Sequence, residues 1–147
     1  MRIVLQRVSK AEVFVSGETI GHIGSGLLAL VAFSRHDDEK DLVWMSRKIV
    51  DLRVFDDDNG NLNLNLRDIR GQLLVVSQFT LYGDCKKGRR PSYSEAALSA
   101  QAEVLYNRFV EIVSEAIPDV QTGKFQADME VRLTNDGPVT MILDSKV

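Results

Sequence analysis

The stretch QLLVVSQFTLYG, residues 72–83, carries the longest strand signal of the sequence. Leu73 to Val76 are consecutive apolar residues without polar alternation, the pattern of a strand inside a sheet with both faces covered. The reading makes residues 72–83 the central strand. A second run of the same kind, GLLALVAF (26–33), is long enough for one strand and is likewise expected to be buried on both faces. Two such strands need layers packed on them, and the rest of the chain offers candidates.

Upstream, residues 2–8 are strand-like, and AEVFVSGETIGHIG (11–24) alternates and turns at Ser16-Gly17-Glu18, a hairpin. In SRHDDEKDLVWMSRKIVDL (34–52) the period changes. Asp37 or Asp38 caps a helix, acids fill its first turn, and Leu42, Met45, Ile49 and Leu52 recur at helical spacing. DDDNGN (56–61) is a turn, and NLNLNL (61–66) alternates strictly as a half-buried strand. Beyond residue 83 a polar loop, DCKKGRRPSYS, leads to a second helix. Its stripe is Leu98, Ala102, Leu105, Phe109, Ile112, Val113 and Ala116, ended by Pro118. KFQADMEVRL and VTMILDS flank NDGPVT (135–140) as a closing hairpin, with Asp-Gly as the turn signal. The expected fold is α/β: a single compact domain over 1–147, strand-rich with two main helices, in the approximate order βββ-α-ββ-α-βββ.

Composition bounds the function. Hydrophobic residues make up 44% and charged residues 27% of the 147, a globular balance with enough chain for one core. The net charge of −3 provides no global basic field, so no DNA partner is expected and RNA would have to meet a local patch. A single cysteine, Cys85, excludes an internal disulfide and fits a reducing cytoplasm. The N-terminal residues are too broken by charge for a signal peptide or a membrane span, so a cytoplasmic protein is expected.

Familiar site chemistries mostly fail on spacing. In GDCKKGRR (83–90) arginines stand where a phosphate-binding P-loop needs lysine and a hydroxyl. GHIGSG (21–26) precedes a strand and misorders a dinucleotide fingerprint. Aligned as a calcium loop, DDDNGN puts Phe55 and Leu66 at ligand positions. His22, His36 and Cys85 lie apart without metal-ligand spacing, so neither metal nor cofactor is expected. Ser77 and Thr80 are hydroxyl nucleophile candidates, but no elbow motif surrounds Ser77 and no histidine adjoins them in sequence. Lys86, Lys87, Arg89 and Arg90 form a compact basic cluster beside Pro91 and Tyr93. It is either a solvated loop or a phosphate contact with Tyr82 or Tyr93 stacking on a base.

Two segments together resemble the signature motifs of D-aminoacyl-tRNA deacylases: SQFTL (77–81) and NDGPVT (135–140). QRV near the start, GLLALVAF, NLNL, KKGRRPSY and TGKF-ADM (122–129) extend the likeness nearly end to end. Gln126 departs from it, standing where the family usually has a small residue. The resemblance implies a β/β/α layered homodimer with sites at the interface. It implies hydrolysis of the ester joining a D-amino acid to tRNA, and of glycine mischarged on tRNA-Ala. Catalysis would lean on the substrate, its adenosine 2′-OH activating water while the protein positions the ester. By position, the Phe79 main-chain N–H would polarise the ester carbonyl. Gln78 would orient the terminal ribose and adenine, and Ser77 and Thr80 would shape the pocket. Gly137-Pro138 would be a cis peptide entering the other subunit's site, held by Arg7, with Met129 nearby. The basic cluster Lys86, Lys87, Arg89 and Arg90 is then the candidate for the tRNA contact, beside its reading as a solvated loop. Two other readings stand beside this one: a non-catalytic RNA-binding dimer of the same fold, and a hydrolase using Thr80 as nucleophile.

Chirality then becomes a matter of shape. D and L esters exchange a hydrogen and a side chain at Cα, and a rigid wall of carbonyl oxygens at Gly137-Pro138 tolerates only the hydrogen. Such a site rejects L instead of recognising each D side chain. Each tenfold of discrimination needs about 1.4 kcal/mol of clash.

Overall fold

The computed structural model describes residues 1–146. Its elements are β1 (Arg2–Val15), β2 (Glu18–Ile23), β3 (Gly26–Ala32), α1 (Glu39–Asp51), β4 (Phe55–Asp56), β5 (Leu62–Leu64), β6 (Gln72–Ser77), a one-turn 3-10 helix (Phe79–Tyr82), α2 (Ser99–Ala116), β7 (Val120–Thr122) and β8 (Glu130–Asp144). The fold is α/β, strand-rich with two helices, as expected. The order βββ-α-βββ-α-ββ moves one strand from the end of the chain to its middle.

β8 lies antiparallel along the whole of one edge of β1. The other edge of β1 is shared: β3 pairs along residues 2–8 and β2 along 11–15. From β3 the sheet continues through parallel pairs to β6 and then β7. The two apolar runs that suggested central strands are adjacent here. Leu27, Ala29, Val31, Leu73 and Val75 face a core built with α1 and α2, while Leu28, Leu74 and Val76 face a second core. Covered faces on both sides explain why neither run alternates.

The second core is closed by the sheet itself. Ile3 and Leu5 of β1 face the helices, but Ala11 and Val13 join Val8 on the opposite face. Strict alternation cannot do this; an extra residue must intervene, and the β1–β8 register shifts between Val8 and Lys10. The far half of β1, with β2 and the start of β8, thus folds over β3 and β6. Ser16 and Gly17, both at positive φ (52° and 82°), form the tight β1–β2 turn.

The helices follow their sequence signals with small changes. Asp38 caps α1, its Oδ1 accepting from the Lys40 and Asp41 N–H groups, and the Asp41 carboxylate accepts from the Asp38 N–H. Asp37, the other capping candidate, is buried and accepts from the Met1 ammonium at 2.6 Å and from Ser34. In α2 the buried stripe is Ala102, Tyr106, Phe109 and Val113, while Leu98 is 80% exposed at the start. In NLNLNL only Leu62–Leu64 is strand, and Leu66 alone of the three leucines is fully buried. No helix of the described residues is long and apolar enough to cross a membrane.

Asp41 also ties down the chain end, accepting from Lys146 Nζ at 2.8 Å. Burial raises its pKa, but the Lys146 bond, the Asp38 N–H, the Ser145 hydroxyl and the Lys146 charge outweigh burial and hold it at about 2. A depressed carboxyl stabilises the fold above its ordinary pKa, and that contribution is lost as pH falls through the folded value. Unfolding free energy is therefore expected to drop between about pH 4 and pH 2. Asp41→Asn should remove about 1–2 kcal/mol of that drop, discounted for the half-exposed Lys146. Urea midpoints of the two proteins at pH 7 and pH 2.5 measure it; an unchanged pH dependence would refute it.

Candidate functional site

The stretch expected to be one strand divides at its middle. Ser77 ends β6, and the Gln78 N–H makes the last sheet bond, to the Val31 carbonyl at 2.7 Å. Gln78 then takes φ −146°, ψ 74° and turns the chain out of the sheet into the 3-10 helix. Leu81 N–H reaches the Gln78 carbonyl and Gly83 N–H the Thr80 carbonyl. A helix start leaves its first N–H groups without internal acceptors. Accordingly, the N–H groups of Phe79 and Thr80 have no acceptor among the described residues. An element change that sequence periodicity did not show thus creates two free donors at the end of the central strand.

Phe79, with Ser77 and Gln78, lines a cavity of about 670 Å3; Thr80 does not. The cavity floor is small and apolar: Ala32, Val76 and Ala102. One wall is the segment Phe125–Met129, the other the loop from Tyr93 to Ser99. Behind the floor, the buried Tyr106 hydroxyl donates to the Val75 carbonyl at 2.8 Å and fixes α2 to β6. Its phenol is pushed well above the usual value by burial. Phe125 packs against Tyr106, with ring centres 5.7 Å apart. Met129 is seated over Gly123, where even a β-carbon would meet its sulfur at 2.6 Å. Gln126, on the rim, holds φ 61°, a left-handed conformation that glycine adopts without strain. That conformation gives a physical reason for a small residue at this position.

The Gln78 side-chain amide donates to Thr80 Oγ1. Among the described residues neither Ser77 nor Thr80 has an imidazole or carboxylate hydrogen-bonded to its hydroxyl. Phe79 is 58% exposed, its ring edge-on to Tyr93 at 5.0 Å. Tyr93 is where the basic loop returns. That loop leaves the 3-10 helix at Gly83, is closed by paired Asp84–Ser92 backbone bonds, and turns at Gly88 with φ 71°. Lys86, Lys87, Arg89 and Arg90 are all exposed on it, and none lines the cavity.

NDGPVT is not a hairpin corner. Residues 130–135 and 140–144 pair with the same strand, β1, in the same direction. Thr140 is opposite Gln6 and Asn135 opposite Val8, so Asp136–Val139 bulge out across from Arg7 alone. The proline explains the departure from the Asp-Gly expectation, since it cannot donate a ladder bond and is accommodated where pairing is interrupted. The excursion is closed by the Asn135 amide, which donates to the carbonyls of Arg7 and Val139. Arg7 is 6% exposed; its Nε donates to the Asp136 carbonyl at 3.1 Å and its Nη1 to the Val54 carbonyl at 2.9 Å. Asp56 and Asp136 carboxylates flank the guanidinium. The Gly137-Pro138 bond is cis, and Gly137 has φ 133°, with no room for a β-carbon beside the Val139 N–H at 2.7 Å. Both residues are exposed.

Neither Arg7 nor Gly137-Pro138 lines the cavity of its own chain. β8, β1, β3 and β6 lie side by side, which separates the corner from Ser77 by roughly 14 Å across the sheet. Arg7 is opposite Leu27 and Ser77 opposite Val31, adding roughly 13 Å along the strands.

The sequence profile of D-Tyr-tRNA(Tyr) deacylases matches residues 4–144. The chain belongs to this family. It is 54% identical over 146 residues to a D-aminoacyl-tRNA deacylase of Thermosipho africanus, covering 99% of this chain and 98% of the relative. Against that of Thermotoga petrophila it is 52% identical over 145 residues, covering 99% and 97%. Among solved structures, a c-Myc DNA unwinding element binding protein superposes with a TM-score of 0.94 at 41% identity, over 98% of each chain. A probable eukaryotic D-amino acid tRNA deacylase has the same fold, with a TM-score of 0.83 at 18% identity over 97% of each chain.

In this member of the deacylase family, the two signature motifs occupy separate places. SQFTL forms the strand end and first helical turn at the cavity; NDGPVT forms the bulge on the far edge. Ser77, Gln78, Phe79 and Met129 come together at the cavity, while Thr80 does not line it and accepts from the Gln78 amide. Sequence reasoning names Tyr93 as a stacking candidate beside the basic loop but does not assign Phe125, Asp128 or the Ala96–Ser99 wall to the site. TGKF-ADM was quoted as a motif, which was the available signal for the first two. In the loop wall Ala96, Ala97 and Ser99 are small, and Leu98 reads as the start of the helical stripe, so nothing in the sequence marks them as a site.

Proposed function

We propose that the chain hydrolyses the ester joining a D-amino acid to the terminal adenosine of tRNA, and hydrolyses glycyl esters mischarged on tRNA-Ala. The carrying observation is the unbonded Phe79 N–H at the mouth of a cavity that has no nucleophile–base pair among its hydroxyls. In this reading that N–H donates to the ester carbonyl oxygen as negative charge develops on it. The adenosine 2′-OH takes a proton from the attacking water as it passes its own to the departing ribose 3′ oxygen; the ester C–O bond breaks, and the amino acid leaves as a carboxylic acid that loses its proton to solvent. Gln78 orients the ribose and adenine, and the basic loop of Lys86, Lys87, Arg89 and Arg90 meets the tRNA phosphates.

The active unit is a homodimer in which Gly137-Pro138 of one subunit enters the cavity of the other. The separation of the corner from its own cavity supports this, as do the exposed apolar side chains Phe79, Leu98 and Ile142 (58%, 80% and 73%) on the surfaces concerned. Carbonyl oxygens of that corner reject the L side chain at Cα and pass the hydrogen of a D or glycyl ester.

Release of tyrosine from D- and L-tyrosyl-tRNA by the purified protein tests the reading. Turnover of the D ester with the L ester largely intact is expected. Equal rates, or tight tRNA binding with no turnover of any D ester, would overturn it, and the second outcome identifies an RNA-binding dimer. Thr80→Ala should keep activity within about threefold, because its hydroxyl only accepts from Gln78. Complete loss in a folded variant would instead make Thr80 the nucleophile.

A further inference from the structure

The cavity carries a single formal charge, and its sign is informative. Of the residues lining it, Asp128 is the only one with an ionisable acid or base of the carboxylate, amine or guanidinium type. The others are apolar or neutral polar, including Ser77, Gln78, Ser99 and Gln126. Asp128 is exposed and takes part in no side-chain hydrogen bond or ion pair among the described residues. Lysines and arginines nearby, on the basic loop, lie outside the lining. The wall that carries Asp128 is held rigidly by Phe125 on Tyr106 and by Met129 on Gly123.

We infer that Asp128 reads the free α-ammonium of the bound ester, making the cavity selective for unblocked aminoacyl groups against N-acylated ones. The inference rests on the proposed deacylase reading and adds a specificity determinant to it. An aminoacyl ester has one cationic group beside its reacting carbonyl, and a carboxylate is the complementary partner. Acylation of that nitrogen removes the charge and adds bulk, so the carboxylate loses its cationic partner. Peptidyl and N-formyl esters of tRNA belong to this blocked class.

The test compares D-tyrosyl-tRNA with N-acetyl-D-tyrosyl-tRNA, using the wild-type protein and Asp128→Asn. Wild type should hydrolyse the free-amine ester at least about 10-fold more efficiently, by kcat/KM, than the acetylated one. In Asp128→Asn, KM for the free-amine ester should rise about 10- to 100-fold with kcat changed much less, and the preference should shrink accordingly. Asp128→Glu should restore part of the preference, which a merely structural role would not produce. Equal hydrolysis of both esters by wild type overturns the inference while leaving the deacylase reading intact. An Asp128→Asn variant that keeps the full preference overturns it as well. Absence of turnover on either ester by wild type removes the deacylase reading itself. Because the free-amine against acetyl comparison needs no variant, a misfolded substitution cannot hide the answer.

Discussion

Phe79→Pro is expected to lower kcat for D-tyrosyl-tRNA by about 10²- to 10³-fold, the usual cost of deleting one donor to a developing oxyanion. Proline removes the one atom proposed to act, the N–H. The position tolerates it, because Phe79 is the first residue of the 3-10 helix and its N–H carries no bond within the protein. The ring is lost too, so Phe79→Ala is the necessary companion. It discards the half-exposed ring and its contact with Tyr93 but keeps the donor. Phe79→Ala should therefore act mainly on KM, and the proline variant on kcat. Single-turnover rates on saturating substrate, with circular dichroism to confirm folding, separate the two. Equal kcat in both variants would show that the backbone donor has no part in the reaction.

Arg7→Met should damage selectivity more than turnover. The guanidinium is buried and bonds the carbonyls of Val54 and Asp136, so it links the bulge at Gly137 to the strand entry after α1. Methionine fills similar volume but leaves the buried Val54 carbonyl without its donor, at a cost of about 1–3 kcal/mol. The carboxylates of Asp56 and Asp136 are half exposed and can return to water, which keeps the loss below that of a fully buried ion pair. Freed of Arg7, the bulge loses the contact that fixes its depth. A wall that yields by even a fraction of an ångström gives up much of its clash with an L side chain. Hydrolysis of L-tyrosyl-tRNA is expected to rise at least 10-fold while D-tyrosyl turnover changes less than threefold, with a matching fall in the urea midpoint. Retained L rejection in a destabilised variant would show that the bulge is held without Arg7.

Much of the layer structure was legible because it depends on local burial. QLLVV and GLLALVA lack alternation for the reason inferred, apolar cover on both faces, and α1 begins at its acidic cap. The misreadings share a different cause. FTLY has the apolar content of a strand, but beyond Ser77 the turn at Gln78 takes it out of the sheet; no residue in the stretch is a breaker. Asp-Gly after Asn135 has the letters of a hairpin, yet the returning residues find β1 still available as a partner and continue along it.

Residue types alone determined the α/β class, the two helices, the strength of strands β3 and β6, and the absence of a recognisable nucleophile–base motif. Those properties follow from periodicity and spacing, which are local. Where the two signature motifs lie relative to one another was decided only by tertiary structure. Strand order puts three sheet spacings between the Phe79 donor and the Gly137-Pro138 corner, and the β1–β8 pairing that places the corner joins residues more than a hundred positions apart. Such pairings are fixed by which buried faces match and which edges remain free once the core has formed. NDGPVT therefore reads as a turn in the sequence and as a bulge held by a buried arginine in the fold.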